Sequence, residues 1–155
     1  MQIRGVCRTV IAAMLLLSPV SGHLLAQGTS PFGSSAPRFL DVDEAFNLYT
    51  SLDSESQISV HWIIAPEYYL YADKFSARIV SPASMAGPLE LNLPEGVLHN
   101  DEYFGDVTVY YQQIRLPLQI PGPAPQSFTL EIGFQGCAEA GLCYPPQLRQ
   151  LEIYR

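Results

Sequence analysis

The chain has 155 residues, a formal net charge of −7 and 48% hydrophobic residues. That length holds one domain with its own core plus a short extra segment. The acidity argues against nucleic acid and anionic membrane surfaces as partners, because both repel a negative chain.

The extra segment lies at the N-terminus. Arg4 and Arg8 precede an apolar run, Val10 to Val20, that is too short to span a bilayer, and Ala26 offers a small residue for cleavage. Residues 1–26 therefore read as a secretory signal peptide, with no stable membrane insertion expected after cleavage. Cleavage removes Cys7, Arg4 and Arg8, which makes the charge two units more negative and leaves Cys137 and Cys143 as the remaining cysteines. An even cysteine count in an exported chain reads as a disulfide.

Residues 27–38, rich in Gly, Ser and Pro, read as a flexible lead-in, and 39–155 as the domain. Phe39 to Phe46 accommodates one helical turn capped by Asp41, and Asp53-Ser54-Glu55-Ser56 signals a turn. Gln57 to Ala65 alternates apolar residues at Ile58, Val60, Trp62 and Ile64, the pattern of a strand. Pro66-Glu67 interrupts it. Tyr68 to Tyr71 resumes it, with Tyr69 and Tyr71 on one face and Tyr68 and Leu70 on the other. Phe75 to Val80 and Leu89 to Leu93 follow as strands, then a turn at Pro94-Glu95-Gly96. A polar loop from His99 to Asp106 carries two aromatic residues. Val107 to Tyr111 and Ile114 to Ile120 are strand-like, residues 121–125 form a Pro-rich loop, and Ser127 to Phe134 and Gln147 to Tyr154 complete the series. No long window has helical periodicity. The expected fold class is all-β, an immunoglobulin-like antiparallel β-sandwich.

The stretch that carries chemistry runs from Gln135 to Pro146. Cys137 and Cys143 flank five residues in a Gly-containing loop, and Pro145-Pro146 stiffen its exit, so the sulfurs are placed to meet. One reading is a structural staple. Closing so short a loop stabilises by only about 2 to 2.5 kcal/mol, modest for a domain with its own core, and immunoglobulin-type bridges join distant strands instead. The other reading is a bond that opens and closes. Spacing alone leaves both open. A metal site from Cys137, Cys143, His61 and His99 is a third reading. It is weakened by a cysteine spacing wider than zinc motifs use and by the lack of a close histidine pair, so no metal ligand is assigned. There is no nucleophile elbow and no phosphate-binding loop. Tyr68, Tyr69, Tyr71, Tyr103, Phe104, Tyr110 and Tyr111 form an aromatic set that core and strand packing explains in part.

Three stretches together resemble the N-terminal periplasmic domain of the DsbD thiol:disulfide interchange family. They are Gln135 to Pro146, the tyrosine-rich Tyr68 to Tyr71, and Pro94-Glu95-Gly96-Val97 followed by Asp101-Glu102-Tyr103-Phe104-Gly105. The resemblance spans Phe39 to Tyr154 and implies the same immunoglobulin-like fold. It implies that Cys137 and Cys143 form a redox-active disulfide needing no other cofactor, with Cys143 the sulfur that forms mixed disulfides. Tyr69, Tyr71, Asp101, Glu102, Tyr103, Phe104 and Gly105 would surround and cap it. The implied activity is a protein-disulfide reductase relay in the periplasm. A thioredoxin-like donor would reduce the pair, which would then reduce thioredoxin-fold acceptors such as a disulfide isomerase or a cytochrome c maturation thioredoxin.

Asp101 to Gly105 is expected to act as a gate over the sulfurs, with its carboxylates disfavouring the thiolate. The family's cap runs Phe then Tyr, whereas Tyr103 here precedes Phe104, so the side chain over the sulfurs would carry a hydroxyl. DsbD proper continues into a multi-span membrane domain and a thioredoxin-like domain beyond the length of this sequence. The expectation is a free-standing relay module, or one piece of a longer system, with its reductant supplied by another protein. The competing expectations are an immunoglobulin-like binding module with a purely structural disulfide and a metal-handling periplasmic protein.

Overall fold

A computed structural model of the protein describes residues 38–123 and 125–155. The expected signal peptide and nearly all of the expected lead-in lie outside the described residues. A single helical turn, α1 (Val42–Ala45), leads into eleven strands: β1 (Phe46–Ser54), β2 (Gln57–Ile64), β3 (Tyr68–Tyr71), β4 (Ser76–Ser81), β5 (Gly87–Pro88), β6 (Val97–Asp101), β7 (Gly105–Tyr110), β8 (Gln113–Gln119), β9 (Ser127–Phe134), β10 (Gly136–Ala138) and β11 (Gln147–Tyr154). They form three antiparallel sheets, ordered β1-β2-β8, β10-β3-β7-β6 and β11-β9-β4-β5. The architecture is the immunoglobulin-like antiparallel sandwich that the strand spacing predicts. Among the described residues no helix is long and apolar enough to cross a membrane.

The core follows from period-two patterning. Ile58, Val60, Trp62 and Ile64 of β2 and Ile114, Leu116 and Leu118 of β8 bury their side chains, as do Phe128, Leu130, Ile132 and Phe134 of β9 and Ile79 of β4. Each such side chain contributes roughly 1.5 to 3 kcal/mol when removed from water. Trp62 sets its ring edge-on to Phe75 at 4.9 Å and to Phe134 at 5.8 Å. Phe46 packs edge-on to Tyr68, Phe134 and Tyr144, at 6.0, 6.2 and 5.5 Å. These contacts tie the residue after Cys143 to the main core, so the loop that holds the cysteines stands on rigid ground.

Several local expectations change. The turn at Val42–Ala45 is present, but the Asp41 side chain makes no cap; its backbone carbonyl accepts from Glu44 N and Ala45 N instead. Phe46 begins a nine-residue strand rather than ending a helix, and the expected turn at residues 53–56 narrows to the tip of the β1–β2 hairpin. Leu89 to Leu93 is not a strand. Leu89, Leu91 and Leu93 do face the core in alternation, but pairing with β4 ends at Gly87–Pro88 and leaves only a Leu89 N to Ala77 O bond. Alternation reports which side chains turn inward, not whether a neighbouring strand is there to pair. The expected polar loop from His99 to Asp106 is instead a tight hairpin, with Asp101 closing β6 and Gly105 opening β7 at φ +73°.

Candidate functional site

β3 places the first part of the site. Its four residues are all buried, but on two faces. Tyr68 and Leu70 join the main core, while Tyr69 and Tyr71 turn to the other side and pack with Val109 and Cys137. β10 pairs with β3 so that Cys137 lies directly opposite Tyr69, and directly opposed residues share a face of the sheet. Gly136 is what lets β10 come so close. A Cβ there would meet the Tyr69 carbonyl oxygen and the Phe46 ring.

The chain then folds back on itself. Gly141 takes φ +91°, in the region that favours glycine. Ala138 N donates to Leu142 O and Tyr144 N to Gly136 O, at 2.8 and 3.0 Å. Cys137 and Cys143 face each other across this small loop and form a disulfide. The two sulfurs are not equivalent, because Cys137 is fully buried and Cys143 is partly exposed.

Asp101 is the polar centre. It is 4% exposed, and a buried carboxylate needs partners. Its Oδ2 accepts the Tyr69 and Tyr71 hydroxyls, each at 2.6 Å, and its Oδ1 accepts the Tyr103 and Phe104 backbone N–H groups at 2.7 and 2.9 Å. Burial pushes the carboxyl up, but the hydrogen bonds from Tyr69, Tyr71, Tyr103 and Phe104 outweigh it and hold Asp101 at about 2. Burial, reinforced by the bond to Asp101, pushes both phenols well above the usual tyrosine range. The Tyr71 oxygen is also 2.9 Å from Cys137 Sγ and 3.8 Å from Cys143 Sγ. Tyr71 thus links the carboxylate to the disulfide.

The β6–β7 hairpin reaches over this centre. The Tyr103 hydroxyl donates to Gly141 O at 3.2 Å, spanning a cleft of 130 Å³ lined by Tyr69, His99, Asp101, Glu102, Glu139 and Cys143 among others. Phe104 sets its ring edge-on to Tyr71 at 5.2 Å, and Lys74 Nζ lies 4.8 Å from the Phe104 centroid. On the cysteine-loop side, the Tyr111 hydroxyl donates to Glu139 Oε1 at 2.6 Å and lies 3.2 Å from His99 Nδ1.

The family model for the thiol:disulfide interchange protein DsbD, N-terminal, matches residues 36–154. The chain belongs to the DsbD N-terminal domain family. It is 40% identical over 115 residues to thiol:disulfide interchange protein DsbD 1 of Pseudomonas aeruginosa, covering 74% of this chain and 19% of that protein. It is 36% identical over 153 residues to DsbD of Yersinia enterocolitica, covering 97% of this chain and 25% of that protein. The chain therefore spans a fifth to a quarter of these relatives' length. Among solved structures, the reduced Neisseria meningitidis DsbD N-terminal domain superposes with a TM-score of 0.66 at 28% identity, covering 75% of this chain and 90% of that one. The Neisseria meningitidis DsbD N-terminal domain in complex with the PilB N-terminal domain superposes with a TM-score of 0.62 at 28% identity, covering 78% and 91%.

Against the DsbD resemblance, the geometry gathers Tyr69, Tyr71, Asp101, Tyr103 and Phe104 around Cys137 and Cys143. Glu102 lines the cleft but is exposed and makes no hydrogen bond among the described residues. His61 lies apart from the cysteines. It pairs across β1–β2 with Tyr49, stacks on that ring at 4.6 Å and hydrogen-bonds to Ser51. His99, Tyr111 and Glu139 were absent from the sequence-based site. The sequence marks His99 only through the weakened metal set, Tyr111 only through the aromatic set, and Glu139 only by its position inside the cysteine loop. His99 and Tyr111 come to it only through the pairing of β6 with β7 and of β3 with both β7 and β10.

Proposed function

We propose that this domain is a periplasmic thiol–disulfide exchange module in which the Cys137–Cys143 pair relays two electrons between proteins. The observation that carries this reading is the asymmetry of the bond. One sulfur is sealed at a strand position and the other opens to a cleft beneath a hairpin tip. A permanent staple has no need of such a cleft. The disulfide is itself the redox group, so no further cofactor is invoked.

In this reading, residues 1–26 direct export, residues 27–38 are a lead-in and residues 39–155 carry the exchange. A thioredoxin-like donor gives two electrons and two protons to the disulfide. The partly exposed Cys143 then attacks an acceptor's disulfide, forming a mixed disulfide and expelling the acceptor's second sulfur. Cys137 attacks Cys143 Sγ in turn, closing the domain's disulfide and releasing the acceptor as a dithiol. Acceptors of thioredoxin fold, such as a disulfide isomerase or a cytochrome c maturation thioredoxin, suit this chemistry. A DsbD N-terminal domain of Neisseria meningitidis forms a complex with a PilB N-terminal domain, which supports a protein partner for this domain. The Asp101–Gly105 hairpin serves as the cap, and a docking partner displaces it.

The deciding experiment is a redox titration of the full chain against glutathione or dithiothreitol. The relay requires a potential clearly above about −300 mV, while a lower value marks a structural bond and overturns the reading.

A further inference from the structure

The relay reading, on which this inference rests, leaves one proton unassigned. The thiolate is the nucleophile in disulfide exchange, so Cys143 must lose its proton before it attacks. Asp101 is a poor acceptor for it. Both of its oxygens are already committed to the Tyr69 and Tyr71 hydroxyls and to the Tyr103 and Phe104 amides.

A second set of groups lies in the same cleft. The Tyr111 hydroxyl has a single proton, and it goes to Glu139 Oε1 at 2.6 Å, the stronger acceptor. The Tyr111 oxygen therefore meets His99 Nδ1, 3.2 Å away, as an acceptor. This requires the hydrogen on Nδ1 and leaves the lone pair of the neutral ring on Nε2. Among the described residues Nε2 has no hydrogen-bond partner. Tyr69 packs against the imidazole at 4.7 Å between centroids and steadies the ring. The charged and titratable groups facing the imidazole are Tyr69 from β3, Tyr111 after β7, Glu139 from the cysteine loop, and Asp101 and Glu102 at the hairpin. His99 and Cys143 both line the 130 Å³ cleft. That volume is several times the roughly 30 Å³ share of one water molecule, so a water-bridged proton transfer fits.

We propose that His99, its tautomer fixed by Tyr111 and Glu139, accepts the Cys143 thiol proton through the cleft when the reduced domain attacks a partner's disulfide. The proton moves from Cys143 Sγ to His99 Nε2. Cys143 Sγ bonds to one partner sulfur as the partner's S–S bond breaks, and the electron pair leaves on the second partner sulfur. The imidazolium returns its proton to that thiolate. Cys137 then bonds to Cys143 Sγ, and its proton goes to the first partner sulfur as it departs. The domain's dithiol is oxidised and the partner's disulfide reduced, with two electrons and two protons transferred. Tyr111 and Glu139 are positioning residues.

The test follows the reaction of the reduced full chain with 4,4′-dithiodipyridine by stopped flow from neutral to alkaline pH. His99→Gln should react on the order of 10-fold or more slowly at neutral pH. The gap should close at alkaline pH, where the thiol ionises without help, and added imidazole should restore part of the lost rate. Tyr111→Phe should give a smaller deficit with the same closure, and it carries the comparison if His99→Gln fails to fold. An unchanged rate at neutral pH, or an equal deficit at every pH, overturns the proposal, since a merely structural role would slow the reaction throughout. Reduction of an oxidised thioredoxin-fold protein by the wild-type chain is followed in parallel. Its absence overturns the relay and this proposal together, whereas a reactive wild type matched by His99→Gln overturns the proton acceptor alone.

Discussion

The Tyr71 hydroxyl lies 2.9 Å from Cys137 Sγ with its only proton committed to Asp101 Oδ2. What it presents to the sulfur is therefore a lone pair. In the reduced domain a Cys137 thiol can donate to that oxygen, but a thiolate would face the lone pair with a carboxylate just behind it. Both effects favour the protonated thiol. Asp101→Asn should accordingly lower the apparent thiol pKa of the reduced protein by about one unit. Glu102→Gln should move it much less, because Glu102 is exposed and has no hydrogen-bonded link to the sulfurs among the described residues. Thiolate absorbance followed through a pH titration checks both. Equal shifts from the two variants would remove Tyr71 from the explanation.

The same carboxylate makes stability depend on pH. Asp101 sits at about 2 in the folded protein, against about 3.9 for an unperturbed aspartate. The unfolded chain thus binds this proton more tightly than the folded one. The contribution is fully present above about pH 4 and is lost as pH falls toward 2. It amounts to about 2 kcal/mol. Urea unfolding of the oxidised protein at pH 5 and at pH 2 should show that loss in the wild type, and Asp101→Asn should show a loss smaller by this amount.

How far the site could be read from the sequence depends on the range of the interactions. The opposite faces of Tyr69 and Leu70 follow from period two, and the meeting of Cys137 with Cys143 follows from a short glycine loop. Both are local, and both appear in the structure. Burial of Asp101 is not local. Its four donors come from β3 and from the turn after it, and nothing in the run His99 to Asp106 distinguishes it from its neighbour Glu102. β1 is poorly marked in the sequence for a related reason. Its residues from Asn47 onward are at most half-buried, so the apolar signal is weak and the strand is recognised mainly by its partner β2. Leu89 to Leu93 shows the converse, an inward-facing alternation without a ladder. Tyr111, Glu139 and His99 belong to three segments whose meeting requires the whole β10-β3-β7-β6 order.

The unequal burial of the cysteines predicts which one partners reach. Cys137 is fully covered, while Cys143 borders the cleft. With Cys137→Ser, Cys143 can still attack a partner but nothing resolves the product, so mixed disulfides should accumulate. With Cys143→Ser, the remaining thiol is buried and few complexes should form. Non-reducing gels after mixing each reduced variant with an oxidised thioredoxin-fold protein read the outcome. Equal trapping would show that the loop opens widely enough to expose both sulfurs, contrary to the closed geometry.

The hairpin tip should be easy to lift. Tyr103 is 62% exposed and is held to the cysteine loop by its hydroxyl bond to Gly141 O at 3.2 Å. A hydrogen bond of this kind contributes about 1 kcal/mol net. Phe104 is held more firmly, against Tyr71 and beside Lys74. Tyr103→Phe should therefore speed alkylation of the reduced protein by iodoacetamide several-fold, with about 1 kcal/mol corresponding to roughly fivefold in an equilibrium constant. Tyr103→Ala should speed it further, because the side chain that spans the cleft is then gone. Neither variant should change the thermal midpoint much, since little area leaves the core. Phe104→Ala, by contrast, should lower the midpoint as well. If both Tyr103 variants alkylate at the wild-type rate, the hairpin is a connection between β6 and β7 and not a gate.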